Sequence, residues 1–229
     1  MIDLEDKFLF IHIPRTNGSE LCNWYYNTVL YHRGVRKSDF INFIEGDKSK
    51  SNQFTYTQYA NHYSHINLFD FYKVSIIRNP FDCVVSNYWM HVNLNSPFMN
   101  MHDINSFEKY VEFLDSVKSN TEVDVFQSLR IIPYIDQCHD INIIRYENYN
   151  DDAKRVLGKI AGHESIERHD EQKLRNEYES RYSDTERPLD YKEMYNEHTS
   201  NLCTPDFQKT FLRQKTIIAS LEELPMVMK

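Results

Sequence analysis

Three stretches of this chain share one pattern: a short apolar run, a polar turn, then apolar positions at helical spacing. The first run, Phe8 to Ile13, is continuous enough to suit a strand covered on both faces. A polar turn, Pro14 to Ser19, follows it, and Leu21, Trp24, Tyr25, Thr28 and Val29 then fall on one helical stripe. The second run, Tyr72 to Ile77, is rich in β-branched residues and turns at Arg78-Asn79-Pro80. Asn79 suits a helix N-cap, Pro80 the first helical position and Asp82 the first turn, with Val85, Tyr88, Trp89 and Val92 as the buried stripe. The third run, Ile141 to Ile144, turns over Arg145 to Asn150 into a helix with Ala153, Val156, Leu157, Ile160 and Ala161 on one face.

Repeated strand-turn-helix units predict an α/β fold. The expected form is a central parallel sheet with right-handed crossovers, flanked by helices, in a single domain spanning residues 1–229. Residues 106–132 read as two helices. Residues 163–188 are crowded with charge and read as a solvated helix or loop, with a lid over a binding site as the other reading. Thr204-Pro205-Asp206 marks a further helix start, with Phe207 and Phe211 as its anchors.

Composition narrows the function classes. The net charge of −8 lacks the basic excess of a nucleic-acid binder, so no nucleic-acid partner is expected. The same balance makes a highly sulfated or phosphorylated polymer a poor partner. The opening MIDLEDKFLFIHI carries acidic residues where a signal peptide carries basic ones, and its apolar run is too short to span a membrane. Cys22, Cys83, Cys138 and Cys203 form no CxxC pair and read as reduced thiols, so a cytoplasmic location is expected. The sequon Asn17-Gly18-Ser19 lies in the first polar turn, where a glycan would obstruct it.

That turn carries the first candidate chemistry. Pro14, Arg15, Thr16, Asn17, Gly18, Ser19 and Glu20 stand between a buried strand and a helix, where backbone N–H groups and the positive helix end suit a phosphate. Arg15 adds a cation, Thr16 and Ser19 add hydroxyl donors, and Gly18 allows close backbone approach. The pattern is not GxxxxGK[ST], which argues against an ATP-type phosphotransferase. In the second turn, Arg78 at the mouth of the sheet is placed for another phosphate, and Ser86 follows eight residues later on the next helix.

Taken together, these segments resemble the sulfotransferase superfamily. Phe10-Ile-His-Ile-Pro-Arg-Thr-Asn-Gly-Ser19 resembles its 5′-phosphosulfate loop, FIHIPKTGGTS. Ile76-Ile-Arg-Asn-Pro-Phe-Asp-Cys-Val-Val-Ser-Asn-Tyr88 resembles its 3′-phosphate motif, VRNPYDRVVSxY, with the same Arg-to-Ser spacing. Ile143-Ile-Arg-Tyr-Glu-Asn148 is similar to its IRFENL element, and Leu189 to Glu197 with the helix at Pro205 is similar to its C-terminal region. The likeness is to the compact bacterial or carbohydrate-type branch. It implies a P-loop-like fold and transfer of a sulfuryl group from 3′-phosphoadenosine 5′-phosphosulfate (PAPS) to an acceptor hydroxyl, leaving adenosine 3′,5′-bisphosphate. No metal is implied. The partner would be a hydroxylated small molecule or a glycan, and oligomeric state is left open.

The resemblance also implies roles. Arg15 stands where the family has a Lys that contacts the sulfate and the leaving phosphate, and Arg78 with Ser86 would hold the 3′-phosphate. Asn17, Glu20 and Cys83 also depart from the pattern, and the Arg15 and Cys83 replacements keep open a degenerate protein that binds nucleotide or a partner without turnover. For the base that takes the acceptor's proton, His65 is the first candidate, His62 the second and Glu45 the third. His62 and His65 lack an evident third metal ligand.

Overall fold

The computed structural model describes residues 1–36, 54–117, 132–135, 137–161 and 191–202. Glu45, the 163–188 segment and the helix start at Thr204 lie outside the described residues. The strands are β1 (Ile2–Asp3), β2 (Phe8–Ile11), β3 (Tyr72–Ile77) and β4 (Ile141–Arg145). The helices in chain order are α1 (Gly18–Tyr25), α2 (Tyr56–His62), α3 (Pro80–Asn93), α4 (Pro97–Met101), α5 (Phe107–Val117), α6 (Ile132–Ile135), α7 (Tyr149–Ala161) and α8 (Glu197–Leu202). A π-helical turn, Tyr26–Leu30, continues α1.

This is an α/β protein with a four-stranded, mostly parallel sheet packed against helices. Strand order is β1-β2-β3-β4. β2, β3 and β4 run parallel, with Phe8 opposite Tyr72, Ile11 opposite Ser75, and Ile77 opposite Arg145. β1 is an antiparallel edge, Ile2 opposite Leu9, which two residues of sequence pattern did not reveal. The first strand stops at Ile11 instead of Ile13, because Ile13 and Pro14 belong to the turn; the third runs one residue further, to Arg145.

The chain sorts into two compact units, one from Met1–Asn79 with Arg130–Ile166, the other from Pro80–Leu129 with Glu167–Lys229. The first holds the sheet. Phe8, Phe10, Val74, Ile76 and Ile144 share a core with Leu21 and Tyr25 of α1 and with Ala153, Val156 and Leu157 of α7. Phe8 stacks on Tyr25 with ring centroids 4.5 Å apart. Two polar residues inside β3 are satisfied locally. The Lys73 ammonium donates to the carbonyls of Leu68, Phe69 and Phe71, and the Ser75 hydroxyl donates to Ile11 O at 2.9 Å. A buried charge persists only when so compensated.

The described residues of the second unit are mainly helical. Val84, Val85 and Tyr88 of α3 pack with Phe107, Tyr110, Val111 and Leu114 of α5, and Asn87 donates to the Tyr110 hydroxyl at 2.7 Å. Val92 is exposed, because the last turn of α3 runs past this core. Among the described residues no helix is long and apolar enough to cross a membrane. Cys22 and Cys138 are free thiols, and burial pushes both up to about 11, which keeps them protonated.

Asp152 fixes the turn after β4. It is buried and accepts from the Arg145 backbone N–H at 3.0 Å and the Arg145 Nε at 3.1 Å, with Arg155 3.6 Å away. Burial alone would raise its pKa. The hydrogen bonds from Arg145 and the charges of Arg145 and Arg155 outweigh that and hold the carboxyl below the ordinary aspartate value. A depressed carboxylate stabilises the fold above its unfolded pKa and loses that contribution as pH falls through the folded value. Asp152→Asn is therefore expected to cost about 1–2 kcal/mol near neutral pH and much less in acid. Urea unfolding at the two pH values checks this; an equal loss at both would refute it.

Candidate functional site

The three parallel strands end on one edge of the sheet, and the turns that leave them are tied together. After β2 the chain passes His12, Ile13 and Pro14 and enters the turn at Arg15. Arg15 and Asn17 both take left-handed backbone angles, φ 65° and φ 70°. Neither is glycine, so each costs of order 1–3 kcal/mol that the surroundings must offset. Left-handed residues in a turn are an ingredient of the concave N–H arrays that hold anions.

The second turn locks onto the first. Arg78 is buried, only 3% exposed, and its Nη1 donates to the Arg15 carbonyl at 3.0 Å. Its guanidinium carbon lies 4.0 Å from the centre of the Tyr146 ring, in the turn after β4. The third turn also holds the second, since the Asn79 backbone N–H donates to Glu147 Oε1 at 2.8 Å. Arg15, Arg78, Tyr146 and Glu147 thus form one corner of the first unit, with Arg78 at its centre.

The remaining turn residues have specific placements. Pro14 and Thr16 are buried, Arg15 and Asn17 half-buried, and Ser19 exposed. The Thr16 hydroxyl donates to Ile13 O at 2.7 Å, so it serves the turn's own backbone. Asn17 Nδ2 donates to Glu20 Oε2, which turns that carboxylate back along α1. Gly18 opens α1, and a Cβ built there would lie 2.9 Å from His12 Cγ and closer still to Cδ2 and Nε2. The space beside Gly18 belongs to the His12 ring, which stacks on Phe10 with centroids 5.5 Å apart.

Ser86 is buried on α3, in the second unit. His62 ends α2, with Phe54 and Tyr63 as ring neighbours. His65 is exposed, 6.5 Å from the Tyr63 ring, on the segment leading into the start of β3; Arg78 leaves the other end of that strand. The structure thus seats the Arg78 guanidinium on the Arg15 carbonyl, and the ring neighbours of His62 and His65 are Phe54 and Tyr63.

No family model matches this chain. Neither a curated protein nor a solved structure is significantly similar to it. What the corner can do is therefore argued from its chemistry: a buried guanidinium, a second Arg, a helix N-terminus and left-handed turn residues suit an anionic ligand. Sequence reasoning passed over His12, Tyr146 and Glu147 as site residues. All three stood inside quoted segments, but only coordinates show which ring seats a glycine and which stacks a guanidinium.

Proposed function

We propose that this chain is a PAPS-dependent sulfotransferase with a P-loop-like nucleotide-binding fold. The observation that carries the reading is the 3.0 Å hydrogen bond from Arg78 to the Arg15 carbonyl, which joins the two turns and supports reading them as one site. A doubly phosphorylated adenosine is the ligand that calls for cations at two adjacent strand ends. Arg15 is proposed to neutralise charge on the 5′-phosphate as the sulfur–oxygen bond to it breaks, and Arg78 to hold the 3′-phosphate; the resemblance adds Ser86. The acceptor oxygen attacks sulfur in line, and its proton passes to a base. Positioning and cationic stabilisation supply most of the acceleration in such a displacement.

Binding without turnover is the second reading. It is favoured by the neighbours of the two candidate bases, which are aromatic rings: Phe54 and Tyr63 beside His62, and Tyr63 beside His65. Adenosine 3′,5′-bisphosphate at a hundred times its Kd is expected to raise Tm by roughly 5–10 °C, the equivalent of ~2.7 kcal/mol in a chain of this size. Adenosine 5′-monophosphate should do far less. Absence of that shift refutes both readings. Transfer of labelled sulfate from PAPS to a panel of hydroxylated acceptors then separates them, since only the enzyme yields labelled product.

A further inference from the structure

The second unit carries a side-chain cluster that the nucleotide reading does not use. Glu108 and Glu112 stand one turn apart on α5, and His198 comes from the first turn of α8. One donor atom from each, two carboxylate oxygens and an imidazole nitrogen, lies within 4.8 Å of the other two. His198 Nε2 is already 3.3 Å from Glu112 Oε1. The backbone beneath His198 is fixed, because Asn196 N–H donates to Thr199 Oγ1 and Thr199 N–H to Asn196 Oδ1, each at 2.9 Å, and Thr199 is fully buried.

We propose that Glu108, Glu112 and His198 bind a divalent transition-metal ion that ties α8 to α5. Two carboxylates at i,i+4 repel each other, and a cation between them removes that repulsion. A plain acidic face offers only oxygen. Here an imidazole arrives from a different helix, and one nitrogen with two carboxylates selects a zinc- or manganese-type ion over magnesium or calcium. Ligand bonds of about 2.0–2.2 Å place donors roughly 3–3.5 Å apart, a separation His198 and Glu112 already have, so Glu108 must close by at most about 1.5 Å. All three are exposed or half-buried and have the freedom to do so. Three protein ligands leave a coordination position for water. The site belongs to α5 and α8 and is separate from the His62–His65 pair. Lys109 competes for it, with Nζ 2.8 Å from Glu112 Oε2.

The competition gives the test. The chain is stripped with chelator and titrated calorimetrically with zinc chloride. One site is expected, weakened at least about tenfold in His198→Ala and in Glu108→Gln, as loss of a direct ligand requires. Lys109→Ala is expected to bind zinc more tightly, because it frees Glu112; a purely structural ion pair would show no such gain. Zinc binding unchanged in His198→Ala, or no binding up to about millimolar zinc, overturns the proposal.

Discussion

Replacing Arg78 with alanine is expected to weaken binding of adenosine 3′,5′-bisphosphate by roughly 10- to 150-fold, the equivalent of ~1.5–3 kcal/mol for a charged hydrogen-bond partner. The same change is expected to lower stability by about 2–4 kcal/mol, because it removes a buried guanidinium that stacks on an aromatic ring and donates to the Arg15 carbonyl. Both effects follow from one placement: Nη1 reaches Arg15 O, and the guanidinium lies on Tyr146. Calorimetric titration gives the first effect and urea unfolding the second. Arg78→Lys separates them. An ammonium keeps the charge but has neither the planar fork nor the stacking face, so it should restore part of the affinity and little of the stability. An alanine variant that loses stability but binds the bisphosphate with unchanged affinity would leave Arg78 as a structural clamp and remove the nucleotide from this corner.

The main strands were legible because each is a compact apolar run with a turn directly behind it. A strand buried on both faces, as Phe8–Ile11 is, must be apolar throughout, and that signal survives without any alignment. β1 was not legible, since two residues carry no period. The π-helical turn at Tyr26–Leu30 was hidden because its apolar residues still fit a helical stripe. The Val92 position fails for a related reason: periodicity gives a face but not where the partner surface ends. At the site, the two arginines were legible from their place behind strands. The rest was not, because it depends on which side chain fills which space. Thr16 was expected to offer its hydroxyl outward, yet that hydroxyl satisfies Ile13 O. Glu20 departs from the resembling pattern, and Asn17 holds its carboxylate. Asn17 and Arg15 take the left-handed angles that sequence convention reserves for glycine, while Gly18 is not among the positive-φ residues.

That inversion sets the last expectation. Gly18 opens a helix at an ordinary backbone angle, so alanine there would by itself stabilise the fold by about 0.4–1 kcal/mol through the unfolded chain. The His12 ring reverses the sign. The added Cβ would overlap Cδ2, Nε2 and Cγ of an imidazole pinned between Phe10 and α1. Gly18→Ala is therefore expected to cost about 1–3 kcal/mol, the range for an overpacked site. It should also weaken bisphosphate binding, because any shift of α1's first turn moves the backbone N–H groups beside Arg15. His12→Ala made together with Gly18→Ala removes the obstacle, so the double variant should be more stable than Gly18→Ala alone. A double-mutant cycle reads this as a favourable coupling of about 1–3 kcal/mol, the range for residues in contact. Two outcomes sink the argument. One is a Gly18→Ala protein at least as stable as the parent. The other is a cycle with no coupling, which would mean that the glycine is required by the turn itself and that His12 only happens to lie beside it.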